Sequence, residues 1–89
     1  MRDLLMAEAV LGRDADEFMR TDIGRYVLGR CEQEIDEAQE LLSRVSPWRR
    51  RRIQELQNQI YRAKSLKSWL VELVNNGNAA EAVLSENHD

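Results

Sequence analysis

Residues 41–56, LLSRVSPWRRRRIQEL, join two amphipathic stretches through Ser46-Pro47, and this junction decides the fold that the sequence predicts. Proline pushes the residue before it out of the α region, so a helix arriving from the N-terminal side ends near Val45. Serine is a favoured N-cap and proline is favoured at the first helical position, so a second helix is expected to begin at Pro47. The chain therefore reverses direction here within a few residues.

The stretch before the turn predicts a long amphipathic helix over residues 22–45. Thr21 or Asp22 can cap its start. Gly24 and Gly29 lie inside it, where glycine costs about 1 kcal/mol relative to alanine, so we expect a close approach of another helix or a kink near Gly24. Steps of three or four residues place its apolar side chains on one helix face, namely Ile23, Val27, Cys31, Ile35, Ala38, Leu42 and Val45.

The stretch after the turn predicts a second long helix over residues 47–75. Asn75-Asn76-Gly77 predicts its end, because asparagine and glycine accept the left-handed conformation that closes helices. A heptad stripe interrupted only by Lys67, together with Trp69 beside it, is expected to form the helix-packing and oligomer interface. The interface residues are Ile53, Leu56, Ile60, Ala63, Trp69, Leu70 and Val74. Two such helices joined by so short a turn predict an antiparallel helical hairpin.

Shorter helices are expected on either side of the hairpin. Residues 1–20 predict two short helices separated at Gly12. A last short helix, capped by Asn78, is expected over residues 79–85. The predicted fold is therefore all-α, with residues 1–89 forming a single helical domain. The first short helix is amphipathic through Leu4, Ala7, Val10 and Leu11.

Composition and charge narrow the class of protein. The chain has 89 residues, of which 43% are apolar and 33% charged, which argues against a second domain, wholesale disorder and a membrane protein. The single cysteine excludes an intrachain disulfide framework, and a reducing cytosol fits best. The net charge of −3 conceals a split, because residues 1–46 carry −5 and residues 47–89 carry +2.

The predicted hairpin has more apolar surface than it can cover. Each long helix has one neighbour, whereas Trp48, Tyr61 and Trp69 add to the heptad stripe. The short N-terminal helices can cover part of this surface, and a second copy can cover the rest in an antiparallel four-helix bundle. We therefore predict a homo-oligomer, with a dimer favoured. Tyr61 and Trp69 are expected to pack on the N-terminal helices or on a partner.

The candidate contact site for an anion or a partner is a run of four arginines, Arg49, Arg50, Arg51 and Arg52. Arginine forms bidentate contacts with phosphates and carboxylates. The run is either neutralised by carboxylates of the protein itself, with Glu37 and Glu40 brought near by the hairpin, or it binds a protein partner or nucleic acid. Trp48 either packs over the turn against Val45 or offers a stacking platform to unpaired bases.

Groups that could carry catalysis or hold a metal are few. Cys31 lies in an apolar stripe and is expected in the core. Glu32, Asp36 and Glu40 could present carboxylates at helical spacing, but the Glu-x-x-His motif of carboxylate sites in helix bundles is missing, so a solvated face is favoured. The single histidine, His88, lies in a polar tail. We expect no enzymatic activity, no cofactor and no metal.

Four segments carry a resemblance to known proteins. They are Thr21–Tyr26 (TDIGRY), the acidic Glu32–Glu40, Leu56–Ile60 (LQNQI) and the Trp69-Leu70 pair before a glycine. Across roughly residues 20–84, this combination resembles a type of small helical protein found in tailed phages and prophages. The resemblance implies a bacterial cytoplasmic setting and a role beside virion assembly or DNA packaging.

These observations lead to two functional expectations. The first is a non-catalytic, phage-type structural or interaction protein that self-associates and docks on a larger assembly through its aromatic flank and arginine run. The alternative is a small nucleic-acid-associated protein in which the paired arginine runs of a dimer grip phosphates. The first is preferred because the acidic flanks would repel DNA except at one patch. No membrane contact is expected, and the expected location is the cytoplasm of a bacterial host cell.

Overall fold

The computed structural model describes residues 1–86, which form three α-helices and no strand: α1 (Arg2–Arg20), α2 (Asp22–Arg44) and α3 (Arg50–Glu86). α1 and α2 follow one another along one side of α3 and run antiparallel to it. α1 packs on the C-terminal half of α3, and α2 packs on its N-terminal half. The prediction of an all-α fold is confirmed, and the packing is consistent with a helical hairpin in which one arm is divided into two helices.

The molecule is a thin plate that measures 63 × 27 × 15 Å. Its radius of gyration is 18.1 Å, whereas a compact chain of this length would have about 12 Å. An α-helix with its side chains is roughly 10–12 Å across, so the plate is two helices wide and one helix thick. Both broad faces of the hairpin are therefore open.

The joint between α1 and α2 is formed around Thr21. Its backbone is extended, with ψ at 161°, and its hydroxyl accepts a hydrogen bond from the Gly24 N–H at 3.0 Å. The same hydroxyl donates to the carbonyl oxygen of Phe18 at 2.6 Å. A Cβ added to Gly24 would lie 1.7 Å from that carbonyl oxygen, so only glycine fits. The predicted Thr21 cap and the close approach at Gly24 are confirmed, whereas no Cβ contact explains Gly29.

The prediction that the first helix ends at Gly12 is wrong, because α1 continues without interruption to Arg20. Gly12 is buried at the crossing of α1 with α3. A Cβ added to it would lie 2.7 Å from the Cα atom of Gly77. Glycine stands at this position because the two backbones touch, and the helix tolerates it because packing outweighs its poor helix propensity.

The prediction that the second long helix stops at Asn75-Asn76-Gly77 is also wrong. α3 runs for 37 residues through this segment, so neither the Asn78 cap nor a separate helix over residues 79–85 exists. Gly77 does not adopt a positive φ, which a left-handed helix end would require. Its missing side chain serves the contact with Gly12 instead.

The turn between α2 and α3 is longer than predicted. α2 ends at Arg44, within one residue of the expected boundary, but α3 begins at Arg50 and not at Pro47. The carbonyl of Ser46 accepts a hydrogen bond from the Arg49 N–H at 3.0 Å. This bond closes a four-residue turn with Pro47 at its second position, where the fixed φ of proline is favoured.

Small residues form most of the seam between the helices. Cys31 is buried there as a free thiol, as predicted, whereas Ile23 is 65% exposed, contrary to its predicted place in the buried stripe. Leu56 is the only large side chain in the described residues that is fully buried, with 1% of its surface exposed. The other buried positions are occupied by glycine, alanine and cysteine, namely Ala9, Gly12, Ala15, Gly24, Cys31, Ala38, Ala63, Gly77 and Ala80.

Candidate interaction surfaces

The turn between α2 and α3 forms a cationic tip at one end of the plate. From Leu41 to Gln54 the sequence contains five arginines and no carboxylate. Arg52 forms an ion pair with Glu55 at 3.3 Å. Within the described residues, the other members of the run form no ion pair. Three neighbouring guanidinium groups of the run, those of Arg49, Arg50 and Arg51, are therefore available to an anion.

The predicted neutralisation of the run by Glu37 and Glu40 does not occur in the chain. Glu40 pairs instead with Arg44 of its own helix, at 2.7 Å. Glu37 accepts a hydrogen bond from the side-chain amide of Gln33 at 3.1 Å. Both carboxylates contact side chains of α2, and neither forms an ion pair with the arginine run.

Trp48 stands out from the tip with 91% of its surface exposed. The interpretation that it packs over the turn against Val45 is therefore wrong. Together with Arg49–Arg52 and Glu55, it lines an open depression of about 400 Å³. An aromatic ring and several guanidinium groups thus border the same concave surface.

Most of the predicted interface residues on α3 lie at or beside the seam with α1 and α2. Leu56 and Ala63 are buried, whereas the remaining members of the stripe are half-buried, namely Ile53, Ile60, Leu70 and Val74. Lys67, the polar member of the stripe, donates to Glu32 of α2 at 3.1 Å. Trp69 lies off the seam and is 63% exposed. An intermolecular role for any of these residues stays a prediction.

Two interhelical ion pairs mark one broad face of the plate, here called the polar face. Arg13 of α1 pairs with Glu81 of α3 at 2.6 Å, and Lys67 of α3 pairs with Glu32 of α2 at 3.1 Å. Lys67 and Glu81 are separated by two heptads, so both pairs lie on the same flank of α3.

The opposite broad face carries exposed apolar side chains and is here called the apolar face. On α1, Leu11 directly precedes the buried Gly12 and Arg13 directly follows it. Successive residues of a helix are about 100° apart, so Leu11 lies on the flank away from the ion pairs. The same geometry on all three helices places six large apolar side chains on this face, with 39% to 65% of their surface exposed, namely Leu4, Leu11, Ile23, Leu41, Trp69 and Val83. Charged residues that directly precede a buried one, such as Arg30, Glu37 and Arg62, lie on the same face.

A second aromatic surface extends from the outer side of α3, where Tyr61 lies, to Trp69 at the edge of the apolar face. Tyr61 is 73% exposed and Trp69 is 63% exposed, so neither packs on α1, as one of the two predicted arrangements required. Lys64, Ser65, Ser68 and Glu72 surround the two rings. We call this set the aromatic flank.

The sequence alone did not reveal the apolar face. The sequence pattern places Leu4 and Leu11 on the apolar side of an amphipathic helix and Ile23 in an apolar stripe, and it gives no surface role to Leu41 or Val83. One feature of the sequence could have identified these exposed residues. They lie next to a glycine or at heptad spacing from one another. Small residues take the centre of a tight helix contact and move the large neighbouring side chains to its rim.

Neither a metal site nor a membrane-spanning helix is found in the part of the chain that the structure describes. Residues 1–86 hold no cluster of three or more potential metal ligands, and the acidic side chains of α2 are spread along its surface. No helix among these residues combines the length and the apolar character needed to cross a bilayer. His88 lies outside the described residues.

Comparison with known proteins adds no relative. No protein-family model, no curated protein and no solved structure matches the chain. The functional argument therefore depends on the tip, the two broad faces and the aromatic flank.

Proposed function

We propose that this chain is a non-catalytic interaction protein that self-associates through its apolar face and docks on a larger assembly. The observation that carries the proposal is the distribution of apolar residues. Among residues 1–86, Leu56 is the only large side chain that is fully buried, whereas six large apolar side chains are exposed on one face. A small domain with so thin a core gains much of its stability from association.

The exposed area supports a second copy as the occupant of the apolar face. The chain exposes 7111 Å², whereas a compact monomer of its mass would expose about 5,400 Å². The excess of about 1,700 Å² per chain is about twice the 800 Å² that each partner of a standard interface buries. A face of 63 × 27 Å also offers each partner more than the roughly 800 Å² required. Two plates stacked on their apolar faces would form a bundle two helices thick.

Two neighbouring residues of α1 provide a matched test of this interface. Leu11 and Val10 are each 52% exposed, but Leu11 lies on the apolar face and Val10 lies on the side of α1 away from α3. We expect the wild-type chain and Val10→Glu to be dimeric by size-exclusion chromatography with light scattering at micromolar concentration. Leu11→Glu should be monomeric while it keeps its helical circular dichroism spectrum. A monomeric wild-type chain would refute the proposal.

The docking part of the proposal assigns the aromatic flank to a larger protein assembly. Tyr61 stays exposed on the outer side of α3, which remains free when two apolar faces stack, whereas Trp69 belongs to the stacked face. Aromatic side chains are enriched at protein interfaces. The phage-type resemblance of the sequence would place this assembly in a bacterial host cell, and it stays a prediction. The test is nuclease-resistant recovery of one defined partner that Tyr61→Ser abolishes without dissociating the dimer.

The second candidate function, nucleic-acid binding, is favoured by one specific observation at the tip. Trp48 is 91% exposed beside three guanidinium groups that have no carboxylate among the described residues. Single-stranded nucleic acids are bound by such combinations, in which cations contact phosphates and aromatic rings stack on bases.

Mobility shift with a single-stranded oligonucleotide tests the second candidate. The shift should weaken steeply with salt and disappear in Arg50→Ala with Arg51→Ala. The control with the same change in charge is Arg25→Ala with Lys64→Ala, which lies away from the tip and should leave the shift intact. Absence of a shift at low salt would reject nucleic-acid binding and leave the self-association proposal unaffected.

A further inference from the structure

The structure points to the orientation of the two copies: we infer that they pack antiparallel, with the cationic tip of each copy against the opposite, acidic end of the other. This inference rests on the proposed self-association. It concerns the ends of the plate and is carried by the charges found there.

The two ends of the plate have opposite charge. The tip holds Arg44 and the run Arg49–Arg52 without any carboxylate between Leu41 and Gln54. At the other end, where α1 begins and α3 ends, residues 1–8 and 79–86 contain four carboxylates and one arginine. We call this the acidic end.

Several charged side chains at both ends of the plate form no ion pair with residues 1–86. Glu81 of the acidic end pairs with Arg13, but Asp3, Glu8 and Glu86 form no ion pair with any described residue. Asp3 and Glu86 are exposed. Carboxylates of one end thus match guanidinium groups that lie at the opposite end of the same molecule, too far along the 63 Å plate to meet them.

A second copy can bring these charges together in one orientation only. Two plates stacked on the same face form a closed two-fold pair in either the parallel or the antiparallel direction. Parallel stacking would set the two tips side by side and gather six arginines that form no ion pair with a described residue, namely Arg49, Arg50 and Arg51 of each copy. Antiparallel stacking sets each tip beside the acidic end of the partner. Complementary potentials select the second arrangement, since like charges in contact are costly.

The antiparallel arrangement also assigns a role to the arginine run. Among the described residues the run forms an ion pair only with Glu55, yet it lies at the end of the plate that would meet the acidic end of a second copy. Asp3 and Glu86 would then be its neutralising groups. The run would fix the direction of packing, while the apolar face would supply most of the affinity.

Neutralising arginines of the tip should change the Kd of the dimer in opposite directions for the two orientations. In Arg50→Gln with Arg51→Gln, an antiparallel dimer loses up to four exposed ion pairs, so its Kd should rise about tenfold. A parallel dimer would lose repulsion, and its Kd should fall. The control, Arg25→Gln with Lys64→Gln, changes the net charge equally at the middle of the plate and should leave Kd unchanged. Sedimentation equilibrium at low salt measures all three values.

A charge-exchange experiment tests which groups meet. The tip variant carries Arg50→Glu with Arg51→Glu, and the end variant carries Asp3→Arg with Glu86→Arg. In the antiparallel arrangement each variant alone should dimerise weakly, whereas their equimolar mixture should form a heterodimer at least as tight as the wild-type dimer. Circular dichroism of each variant checks that it is folded.

The outcomes distinguish this inference from the proposal on which it rests. A wild-type chain that stays monomeric would overturn self-association and the orientation together. A wild-type dimer whose Kd falls or stays constant on neutralisation of the tip would overturn the antiparallel orientation alone. Loss of dimer in each variant with recovery in the mixture would support the inference.

Discussion

Gly77→Ala tests whether the contact between α1 and α3 is as close as the structure shows. The added Cβ would lie 2.7 Å from the Cα atom of Gly12 and 3.1 Å from the carbonyl oxygen of Glu8. Ordinary contacts of a Cβ atom are 3.4–4 Å. Both obstacles are backbone atoms of a continuous helix, so no side chain can rotate away. The two helices must move apart along a large part of their shared seam.

The expected loss of stability follows from two opposing effects. Overpacking of a well-packed contact costs about 1–3 kcal/mol. Replacing glycine by alanine inside a helix raises the free energy of unfolding by about 0.5–1 kcal/mol, because alanine loses less backbone entropy on folding. We therefore expect Gly77→Ala to lower the free energy of unfolding by about 1–2 kcal/mol.

Gly29→Ala is the matched control for this experiment. A Cβ added to Gly29 meets no atom within 4 Å, so only the helix-propensity effect remains. The free energy of unfolding of this variant should be about 0.5–1 kcal/mol higher than that of the wild-type chain. Urea denaturation followed by circular dichroism, at one fixed protein concentration, measures both changes. Equal stability of Gly77→Ala and Gly29→Ala would refute the close contact between α1 and α3.

Other substitutions probe separate parts of the fold. Leu56→Ala should lower the free energy of unfolding by about 2–5 kcal/mol in the same urea assay, because it removes the one large, fully buried side chain. Thr21→Ala should lower the free energy of unfolding by about 1 kcal/mol, because it removes the cap of α2, and Thr21→Ser should retain the cap. Arg13→Met should change the urea midpoint little, since its pair with Glu81 is exposed and worth about 0–1 kcal/mol. Trp48→Ala should leave the melting temperature unchanged, because the ring is 91% exposed.

Periodicity predicted the parts of this fold that depend on neighbouring turns of one helix. The heptad stripe of α3 lies at its seam with the other helices, with Leu56 and Ala63 fully enclosed. The boundaries of α2 were predicted to within one residue, since Thr21 and Ser46-Pro47 act locally. A cap and a proline influence only the adjacent turn, so their effect can be read from the sequence around them.

The errors arose where a distant residue determines the local structure. Gly12 and Gly77 both resemble helix ends, yet each lies within a continuous helix because each faces the other across the α1–α3 crossing. They are 65 positions apart in the sequence, so neither carries a local sign of its partner. Glycine at a helix end and glycine at a helix crossing have the same local appearance. Only the pairing of the two helices distinguishes these roles.

The candidate surfaces were predictable to different degrees for the same reason. The arginine run is a property of consecutive residues, so its presence at the tip followed from the sequence. The absence of an ion pair between the run and α2 did not, because Glu40 pairs with Arg44 rather than reaching across the turn. The apolar face depends on which side chains remain outside a tight seam. That property becomes visible only after the small residues are known to be in contact.

The close approach of the helices and the proposed self-association have a common physical origin. Helices that meet through glycine and alanine have little space between them for large side chains, so leucine, isoleucine and tryptophan are displaced to the broad faces. Their burial would contribute about 25 cal/mol per Å², but a single plate leaves much of that area exposed. The small residues that make the hairpin thin therefore leave large apolar side chains exposed on its surface, where their burial against another molecule would be favourable. A second copy is the simplest occupant of such a face, since it is present whenever the first is and carries the complementary charges at its ends.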